Sequence, residues 1–566
     1  MARGAYEAGV RVVTGYPGTP STEILETVAR RTNIDAQWSP NEKVALEVAM
    51  GSSFCGARVL VTMKHVGVNV AADPLFTLAY TGVKGGLVIV SADDPGMHSS
   101  QNEQDNRNYA RFAKIPMLEP ADSQEAKDFT LRAFEISEMY DTPVLLRMTT
   151  RICHGKSIVE EGPVQEPVPI TRFERRPDKY VMLPAFARKR HVEVQKRMKA
   201  LGEFSETFTG HRMEMGEPDI GVITSSVAYQ YAREVLPNAS FLKLGMTHPL
   251  PQRLIRDFAS KVDRLVVLEE LDPYLEEQLR IMGLEVTGKE ERFELGELNP
   301  DLVRTILTGE SPPEIPAVKP RPPVLCAGCP HRGIFTVLKK KGCVVTGDIG
   351  CYTLGTLQEL GGMDTCVCMG ASVGHCLGFG KVLPEKQRKK VVAVIGDSTF
   401  LHSGVTGLMD MVYNGGRGTV LILDNRTTAM TGGQEHPGTG KNARGGEAPE
   451  VDFPQLCRAL GVKDVHVTDP WNLAEIEKHL VEAMEFDGPS VIINRGACVL
   501  LERKPVLPKA VDEELCKVCG LCVKTGCPAI VAGEDRVTID PAMCRGCGIC
   551  AELCPYNAIK DAESGS

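Results

Sequence analysis

Eight of the 19 cysteines lie near the end of the 566-residue chain, in two runs of similar spacing. The runs are Cys516-x2-Cys519-x2-Cys522-x4-Cys527 and Cys544-x2-Cys547-x2-Cys550-x3-Cys554, and each is followed by proline. Such spacing brings three thiolates to one cubane and sends the fourth cysteine of each run to the other cluster. Paired zinc sites, the alternative, do not need a CxxCxxC triplet. We therefore expect two [4Fe–4S] clusters, one held by Cys516, Cys519, Cys522 and Cys554 and the other by Cys527, Cys544, Cys547 and Cys550.

A second group of polar residues lies where two predicted strands end. Gly396-Asp397-Ser398 follows the apolar run VVAVIG, and Asn425 follows the next such run, 28 residues after Asp397. The carboxyl ends of parallel strands share one edge of a sheet, where α/β proteins bind ligands. A carboxylate, an amide oxygen and a nearby carbonyl suit Mg²⁺ shared with a diphosphate, and Gly396 would let the backbone approach the phosphates. A GDS triplet alone is more often an ordinary turn after a strand than a metal site.

Alternating strands and helices must position these residues. Short apolar runs such as Arg58 to Met63, Gly86 to Ser91 and Lys390 to Ile395 predict buried strands, and stretches such as Glu42 to Ser53 have helical periodicity. This pattern predicts an α/β fold of parallel sheets flanked by helices. The predicted domains are residues 1–160, a linker or excursion at 161–217, a small α/β domain at 218–310, a third α/β domain at 323–507 and the cysteine-rich tail at 508–566.

The composition excludes several classes of function. The formal net charge is −9, which argues against nucleic-acid binding, and the basic stretch Arg188 to Arg197 is interpreted as a solvated face of the linker. There is no secretion signal and no apolar run that approaches the ~18 residues of a membrane span. We therefore expect a cytoplasmic protein without a membrane anchor.

Several motifs resemble those of one enzyme family. GDS followed by Asn425 resembles the GDG…N signature of thiamine diphosphate enzymes, with Ser398 in place of the last glycine. The sequence TGGQ at 431–434 is characteristic of 2-oxoacid ferredoxin oxidoreductases, and YPGTPS at 16–21 resembles their YPITPS turn. The resemblance implies Asp397, Asn425 and the Thr427 carbonyl as Mg²⁺ ligands. It also implies contacts to thiamine diphosphate from Thr19, Gly396, Asp397, Ser398, Asn425, Thr427, Thr431 and Gly432.

Thiamine chemistry also needs a carboxylate beside the aminopyrimidine ring, so that the ring can remove the thiazolium proton. Glu42, nine residues before Gly51, matches the position of that glutamate in the family. The resemblance therefore makes Glu42 the candidate catalytic residue, with Glu47 as the nearby alternative. Lys64-His65 falls where relatives place small polar residues near the substrate, although a lone histidine is more often structural.

A third metal site is conceivable. The segment from Cys326 to Cys329 resembles the CxGCG motif that begins the thiamine-binding domain of related enzymes, and Cys351 falls near their third ligand. The fourth ligand stays open among Cys343, Cys457 and Cys498. A zinc site or buried thiols remain equally compatible with the sequence.

The order of the domains resembles the large (alpha) subunits of indolepyruvate ferredoxin oxidoreductases. It implies a thiamine pyrimidine-type domain at 1–160, a domain similar to the transketolase C-terminal domain at 218–310, a diphosphate- and magnesium-binding domain at 323–507 and a two-[4Fe–4S] ferredoxin-like α+β domain at 508–566. It further implies an arylpyruvate substrate, coenzyme A, ferredoxin as oxidant and a smaller beta subunit in an α2β2 assembly. The chain begins close to a helix that relatives precede by several residues, so we expect a truncated start.

Two alternatives to this function remain. One is an oxidoreductase of the same class that acts on pyruvate, 2-oxoglutarate or a branched-chain 2-oxoacid. The other is an electron-transfer subunit whose thiamine site is vestigial, which Ser398 and the altered YPGTPS turn leave open.

Overall fold

The computed structural model describes residues 1–310, 322–357, 360–501 and 506–562, and the chain forms two compact units, Met1–Ala317 and Val318–Ser566. The proline-rich run from Pro312 to Pro323, which the sequence analysis interpreted as a boundary, lies almost entirely outside the described residues. None of the 19 cysteines forms a disulfide. Among the described residues, no helix has both the length and the apolar character needed to cross a bilayer.

The first unit contains a seven-stranded sheet. Its strands, in spatial order, are Met246–His248, Met117–Leu118, Val144–Thr149, Leu87–Asp93, Val59–Lys64, Val12–Gly15 and Asp35–Trp38. All neighbours are parallel except the first pair, which is antiparallel. The helices associated with this part of the chain are Ala2–Glu7, Thr22–Arg31, Glu42–Phe54, His65–Val70, Ala72–Thr81, Arg107–Ala113, Ser123–Tyr140, Thr150–His154, Pro177–Tyr180 and Pro184–Ser205. The three central strands are completely buried, which explains their continuous apolar sequences.

A four-stranded sheet forms the rest of the first unit. Its strands, in spatial order, are Leu265–Leu268, Glu217–Ser225, Ala239–Leu244 and Arg212–Glu214, of which only the last is antiparallel to its neighbour. Its helices are Ser226–Val235, Gln252–Ala259, Tyr274–Ile281 and Pro300–Thr308, with a 3-10 turn at Glu291–Phe293.

Buried ion pairs connect the two sheets of the first unit. The Arg107 guanidinium is 1% exposed and pairs with Asp105 and with Glu269, which follows a strand of the smaller sheet. Arg147 is also buried and pairs with Asp93 at 2.7 Å. Removing one partner of such a pair leaves an uncompensated buried charge, so the Arg107–Glu269 pair helps to fix how the two sheets pack, whereas the Arg147–Asp93 pair joins neighbouring strands of the larger sheet.

The segment predicted as a linker contains the 22-residue helix Pro184–Ser205. Val194 and Leu201 on this helix are buried, and Arg197 is buried too, where it donates a hydrogen bond of 2.7 Å to the Ala79 carbonyl. Arg190 pairs with Asp141 at 2.8 Å. The interpretation of this basic stretch as a solvated face is therefore wrong for both arginines, because they anchor the helix.

The first unit is expected to lose stability in acid through His211. Burial lowers the pKa of His211 to about 4, and its Nδ1 accepts a hydrogen bond from the Gly245 amide at 3.2 Å. The unfolded chain takes up the proton first as the pH falls below about 6.5, so stability present at neutral pH is lost toward pH 4, by about 2 kcal/mol at pH 5. We expect His211→Asn, which cannot titrate, to show a smaller drop in thermal midpoint between pH 7.5 and pH 5. Equal drops in variant and parent would contradict this assignment.

The second unit is built around a five-stranded parallel sheet. Its strands, in spatial order, are Val344–Thr346, Val391–Gly396, Gly418–Asp424, Pro489–Arg495 and Asp464–Thr468. Its helices are His331–Lys341, Ala371–Val382, Glu385–Arg388, Asp397–Thr399, Val405–Tyr413, Phe453–Ala459 and Leu473–Glu485, with single turns at Cys351–Thr356, Phe400–Gly404 and Ala429–Thr431.

The cysteine-rich tail packs directly on this domain. It contains two antiparallel strand pairs, Lys509–Val511 with Ile559–Asp561 and Ile530–Ala532 with Val537–Ile539, together with the turn Val523–Thr525 and the short helix Ile549–Glu552. Ile549 belongs to the same buried core as Leu338 and Leu473, and the Leu473 amide donates to the Glu552 carboxylate at 3.0 Å. The predicted fold, parallel α/β sheets with an α+β tail, is confirmed.

Candidate functional site

In the first unit, the candidate residues gather at the carboxyl edge of the seven-stranded sheet. Thr19 follows the strand Val12–Gly15, and Lys64 is the last residue of the adjacent parallel strand Val59–Lys64. The Lys64 ammonium donates to the Ser99 carbonyl at 2.6 Å, and the Ser99 hydroxyl donates to the Thr19 carbonyl at 3.3 Å. Burial lowers the pKa of Lys64 to about 8.

The same contacts explain why glycine replaces isoleucine in the YPGTPS turn. A Cβ atom on Gly18 would lie 2.9 Å from the Cβ atom of Lys64, closer than two carbon atoms can approach. A branched side chain therefore does not fit unless Lys64 moves. The close approach of the neighbouring strand thus requires glycine at position 18, since any residue with a Cβ atom at position 64 would make the same contact.

Glu42 is the first residue of the helix Glu42–Phe54, and its side chain is buried. Asn41 precedes it and caps the helix by accepting from the Val44 amide at 2.9 Å. A buried carboxylate at a helix N-terminus is stabilised by the helix dipole. Glu47, the alternative candidate, is instead exposed and pairs with Lys43, so of the two carboxylates only Glu42 is enclosed.

The backbone of Gly67 leaves the space that the Glu42 carboxylate occupies. A methyl group at Gly67 would lie 2.6 Å from Oε1 and 2.7 Å from Cγ of Glu42. We expect Gly67→Ala to displace the carboxylate and lower kcat by about 100-fold, because misplacement of a catalytic group by about 1 Å costs that much. Gly51→Ala is the matched control, since a Cβ on this exposed glycine meets nothing within 4 Å. Steady-state rates of the two variants test this, and an unaffected Gly67→Ala would overturn it.

In the second unit, three oxygen groups converge at the ends of neighbouring strands. The Asn425 amide atom that faces Asp397 lies 2.7 Å from the Thr427 carbonyl oxygen and 3.2 and 3.3 Å from the two carboxylate oxygens of Asp397. All three residues are buried. If that amide atom is the oxygen, only acceptors face one another, which a cation among them would satisfy. If it is the nitrogen, the amide simply donates to its neighbours.

His331 is compatible with the first orientation. Burial lowers the pKa of His331 to about 4, so its ring is neutral at physiological pH. The Asn425 Nδ2 atom lies 3.4 Å from the His331 Nε2 atom, to which it can donate a hydrogen bond. In the tautomer whose Nε2 accepts, that contact turns the amide oxygen toward Asp397 and the Thr427 carbonyl. The donor set therefore fits Mg²⁺, which prefers carboxylate, amide and carbonyl oxygens.

Asp397 is held rigidly in this arrangement. Its carboxylate accepts hydrogen bonds of 2.8 Å from the amides of Ser398 and Arg426. The His436 Nε2 atom lies 3.3 Å from the carboxylate, and its Nδ1 atom accepts from the Gly438 amide at 3.1 Å. Because Nδ1 is an acceptor, Nε2 carries the hydrogen, and although it lies near the Asp397 carboxylate it forms no hydrogen bond among the described residues.

The other predicted residues surround these oxygens without joining them. Ser398 receives a hydrogen bond of 2.9 Å from the Thr428 hydroxyl, which ties the strand end to the TGGQ loop. Thr431 and Gly432 lie in that loop, where Gln434 donates to the Thr431 carbonyl at 3.0 Å. A Cβ on Gly396 would lie 2.8 Å from the Tyr352 ring, so packing against Tyr352 also requires this glycine.

The eight cysteines of the tail form two separate sets of four. Cys516, Cys519, Cys522 and Cys554 line one cavity. Cys527, Cys544, Cys547 and Cys550 line a second cavity. Each set combines three cysteines of one run with the last cysteine of the other, which is the grouping that the crossing rule predicts.

Comparison with known proteins identifies the family. A protein of Archaeoglobus fulgidus described as indolepyruvate oxidoreductase subunit IorA is 41% identical to this chain, and the alignment covers 100% of the chain and 96% of that protein. Proteins with the same description from Methanothermobacter thermautotrophicus and Pyrococcus horikoshii are 40% and 38% identical, again over 100% of this chain and 96% of their own length. The chain belongs to the indolepyruvate oxidoreductase subunit IorA family.

Three family models match parts of this IorA family member. A thiamine diphosphate-binding model of pyruvate flavodoxin/ferredoxin oxidoreductases matches residues 3–203, and the C-terminal TPP-binding domain of thiamine pyrophosphate enzymes matches residues 348–493. A 4Fe-4S binding domain matches residues 537–560. The chain thus carries thiamine diphosphate-binding domains and a 4Fe-4S binding domain, as the motifs indicated. The first match includes most of the helix Pro184–Ser205.

A further group of cysteines in this IorA family member surrounds Cys351. Burial raises the pKa of Cys351 to about 11, and the nearby thiols of Cys498 and Cys326 raise it further. Cys326 likewise raises the pKa of Cys329 and Cys498, for both of which burial is the larger cause. The Cys498 amide donates to the Asn425 carbonyl at 3.0 Å, so this group lies beside the oxygen cluster.

The two other candidates for the fourth position differ from Cys498. Cys457 is buried in the apolar core on the other side of the sheet, and Cys343 neighbours Lys341 and Lys390.

Sequence reasoning also missed His331 and His436. His331 could have been noticed because it follows Cys329 by two residues, whereas nothing local distinguishes His436.

Proposed function

We propose that this chain is the large, catalytic subunit of a 2-oxoacid:ferredoxin oxidoreductase that acts on indolepyruvate or another arylpyruvate. The reaction converts the 2-oxoacid and coenzyme A into an acyl-CoA thioester and carbon dioxide, and passes two electrons, one at a time, to ferredoxin. The names of its relatives support the substrate and the presence of a partner subunit. The observation that carries the proposal is that the converging oxygens and the cysteine sets occupy the same compact unit.

The residues have separate roles in this reaction. Asp397, Asn425 and the Thr427 carbonyl would hold Mg²⁺ and through it a diphosphate. Glu42 would accept a hydrogen bond from the aminopyrimidine ring and help move a proton there. When bound, thiamine diphosphate supplies the carbanion chemistry that allows the carboxyl group to leave. The two cysteine sets of the tail would each hold a [4Fe–4S] cluster and carry the electrons away.

The test is an anaerobic assay of the chain co-expressed with its small subunit. We expect indolepyruvate to drive viologen or ferredoxin reduction only when thiamine diphosphate, Mg²⁺ and coenzyme A are all present. We further expect kcat/KM for indolepyruvate to exceed that for pyruvate by roughly 10-fold or more, since a large apolar side chain adds binding energy. Iron-replete protein that contains no thiamine diphosphate and reduces nothing with any 2-oxoacid would instead indicate an electron-transfer subunit.

We also propose that Cys326, Cys329, Cys351 and Cys498 hold a third [4Fe–4S] cluster. Three cubanes correspond to about 12 iron atoms per chain. We expect Cys498→Ser to lower the iron content to about 8, measured by inductively coupled plasma mass spectrometry after anaerobic purification. Cys343→Ser is the matched control, because this half-buried thiol lies outside the group, and it should leave the iron unchanged. Parental protein with about 8 iron atoms, or with zinc, would refute the third cluster.

A further inference from the structure

Arg332 is a buried cation in the second unit that pairs with no carboxylate among the described residues. Its side chain is 2% exposed, which makes it one of the largest fully buried side chains of the chain. Three other cations that are at most 2% exposed differ: Arg107, Arg147 and Lys243 each pair with at least one carboxylate. A buried charge without a counter-ion is costly, so Arg332 calls for negative charge nearby.

Backbone carbonyls hold the Arg332 guanidinium in place. Its Nη2 atom donates to the carbonyls of Leu325 and Cys326 at 2.6 and 3.0 Å, and its Nη1 atom donates to the Thr525 carbonyl. The Nε atom has no partner among the described residues. These contacts fix the position of the charge but do not neutralise it, because a carbonyl carries only a partial negative charge.

The guanidinium lies between two groups of cysteines. One of its carbonyl partners belongs to Cys326, and another, Thr525, is two residues before Cys527. Arg332 also lines the cavity formed by Cys527, Cys544, Cys547 and Cys550. Burial raises the pKa of Cys329 and of Cys547, and the charge of Arg332 opposes this rise at both thiols.

We propose that the fixed positive charge of Arg332 favours the reduced state of the iron–sulfur clusters held on either side of it. This inference rests on the proposed function, in which both groups of cysteines hold clusters. A cubane with four thiolates carries net negative charge, which increases by one unit when it accepts an electron. A nearby buried cation, poorly screened by solvent, stabilises that additional charge and raises the reduction potential. The same negative charge supplies the counter-ion that Arg332 otherwise lacks.

The test is a redox titration of the holoenzyme, followed by electron paramagnetic resonance at low temperature. We expect Arg332→Gln to lower the midpoint potential of a cluster next to Arg332 so that reduction becomes at least tenfold less favourable, which is about 59 mV for a one-electron couple. The cluster held by Cys516, Cys519, Cys522 and Cys554 should shift less, because Arg332 does not line its cavity. Arg332→Lys retains the charge and should keep the potential close to that of the parent.

Arg545→Gln is the matched control. Arg545 lines the same cavity as Arg332 but is exposed, so water screens its charge and its removal should shift the potential little. If Arg332→Gln fails to retain iron while Arg332→Lys retains it at the parental potential, the charge is still what is required. If Arg332→Lys and Arg332→Gln have the same midpoint potential, or if neither variant binds iron, the hydrogen bonds to the carbonyls are what matter and the proposal fails.

Failure of the proposed function would look different. In that case the parental protein itself would lack the signals of reduced [4Fe–4S] clusters, whatever stands at position 332. Parental protein with these signals, combined with an unshifted Arg332→Gln, would overturn only the role of Arg332.

Discussion

Glu42→Gln is expected to lower kcat by about 100- to 10,000-fold, the range that proton transfer by a positioned side chain contributes. The carboxylate is enclosed at the start of its helix, beside the backbone of Gly67, and glutamine has nearly the same shape. The substitution therefore removes the ability to accept and hold a proton and leaves packing largely intact. The measurement is indolepyruvate-dependent viologen reduction under saturating thiamine diphosphate, Mg²⁺ and coenzyme A.

Glu47→Gln is the control on the same helix. Glu47 is exposed and pairs with Lys43 at the surface, an interaction of small energy, so its loss should leave kcat unchanged. A Glu42→Gln variant with more than about a tenth of the parental rate would show that the reaction does not depend on this carboxylate.

Asp397→Asn is expected to weaken the binding of thiamine diphosphate by at least about 100-fold, since loss of a metal ligand costs more than the 10- to 100-fold of a supporting residue. The substitution removes the one negative charge among the three converging oxygen groups. Isothermal titration calorimetry, in which cofactor-depleted protein is titrated with thiamine diphosphate in the presence of MgCl2, measures the Kd directly. The iron content and signals of the two tail clusters should stay at parental levels, because among the described residues the Asp397 carboxylate accepts hydrogen bonds from the Ser398 and Arg426 amides and from no cysteine of the tail.

Asp410→Asn provides the matched control for this experiment. Asp410 lies on the helix Val405–Tyr413 that follows the site, and its exposed carboxylate only accepts from the Asn414 side chain at 2.8 Å. Its Kd for thiamine diphosphate should equal that of the parent. An unchanged Kd in Asp397→Asn as well would rule out Asp397 as the ligand that anchors the diphosphate.

Much of the fold followed from the apolar pattern of the sequence. Strands buried on both faces, such as Val59–Lys64 and Val391–Gly396, gave continuous apolar runs whose predicted ends differ from the structure by one residue. Strands with polar residues, such as Asp35–Trp38, were not predicted. The helix Pro184–Ser205 was missed because arginines that donate to carbonyls hold it in place, and hydrophobic periodicity does not register such contacts.

The candidate site likewise contains residues that the sequence predicted and residues that it did not. The two cysteine sets of the tail could be predicted because all ligands lie within two short runs whose spacing fixes their geometry. Cys498 could not, because it is far from Cys351 along the chain and only the parallel sheet brings it near. His436 and Arg332 could not be identified from the sequence either, since their roles depend on burial and on which groups surround them.

The shared core of the tail and the sheet domain has a consequence for the kinetics of electron transfer. Ile549 of the tail packs into the same core as Leu473, so the two cysteine sets are not carried on a freely moving arm. Packing therefore sets the distances over which an electron must tunnel within this unit. Transfer between these sites does not require the tail to diffuse toward the sheet domain. Solvent viscosity should consequently slow the encounter with external ferredoxin and leave the internal steps unaffected.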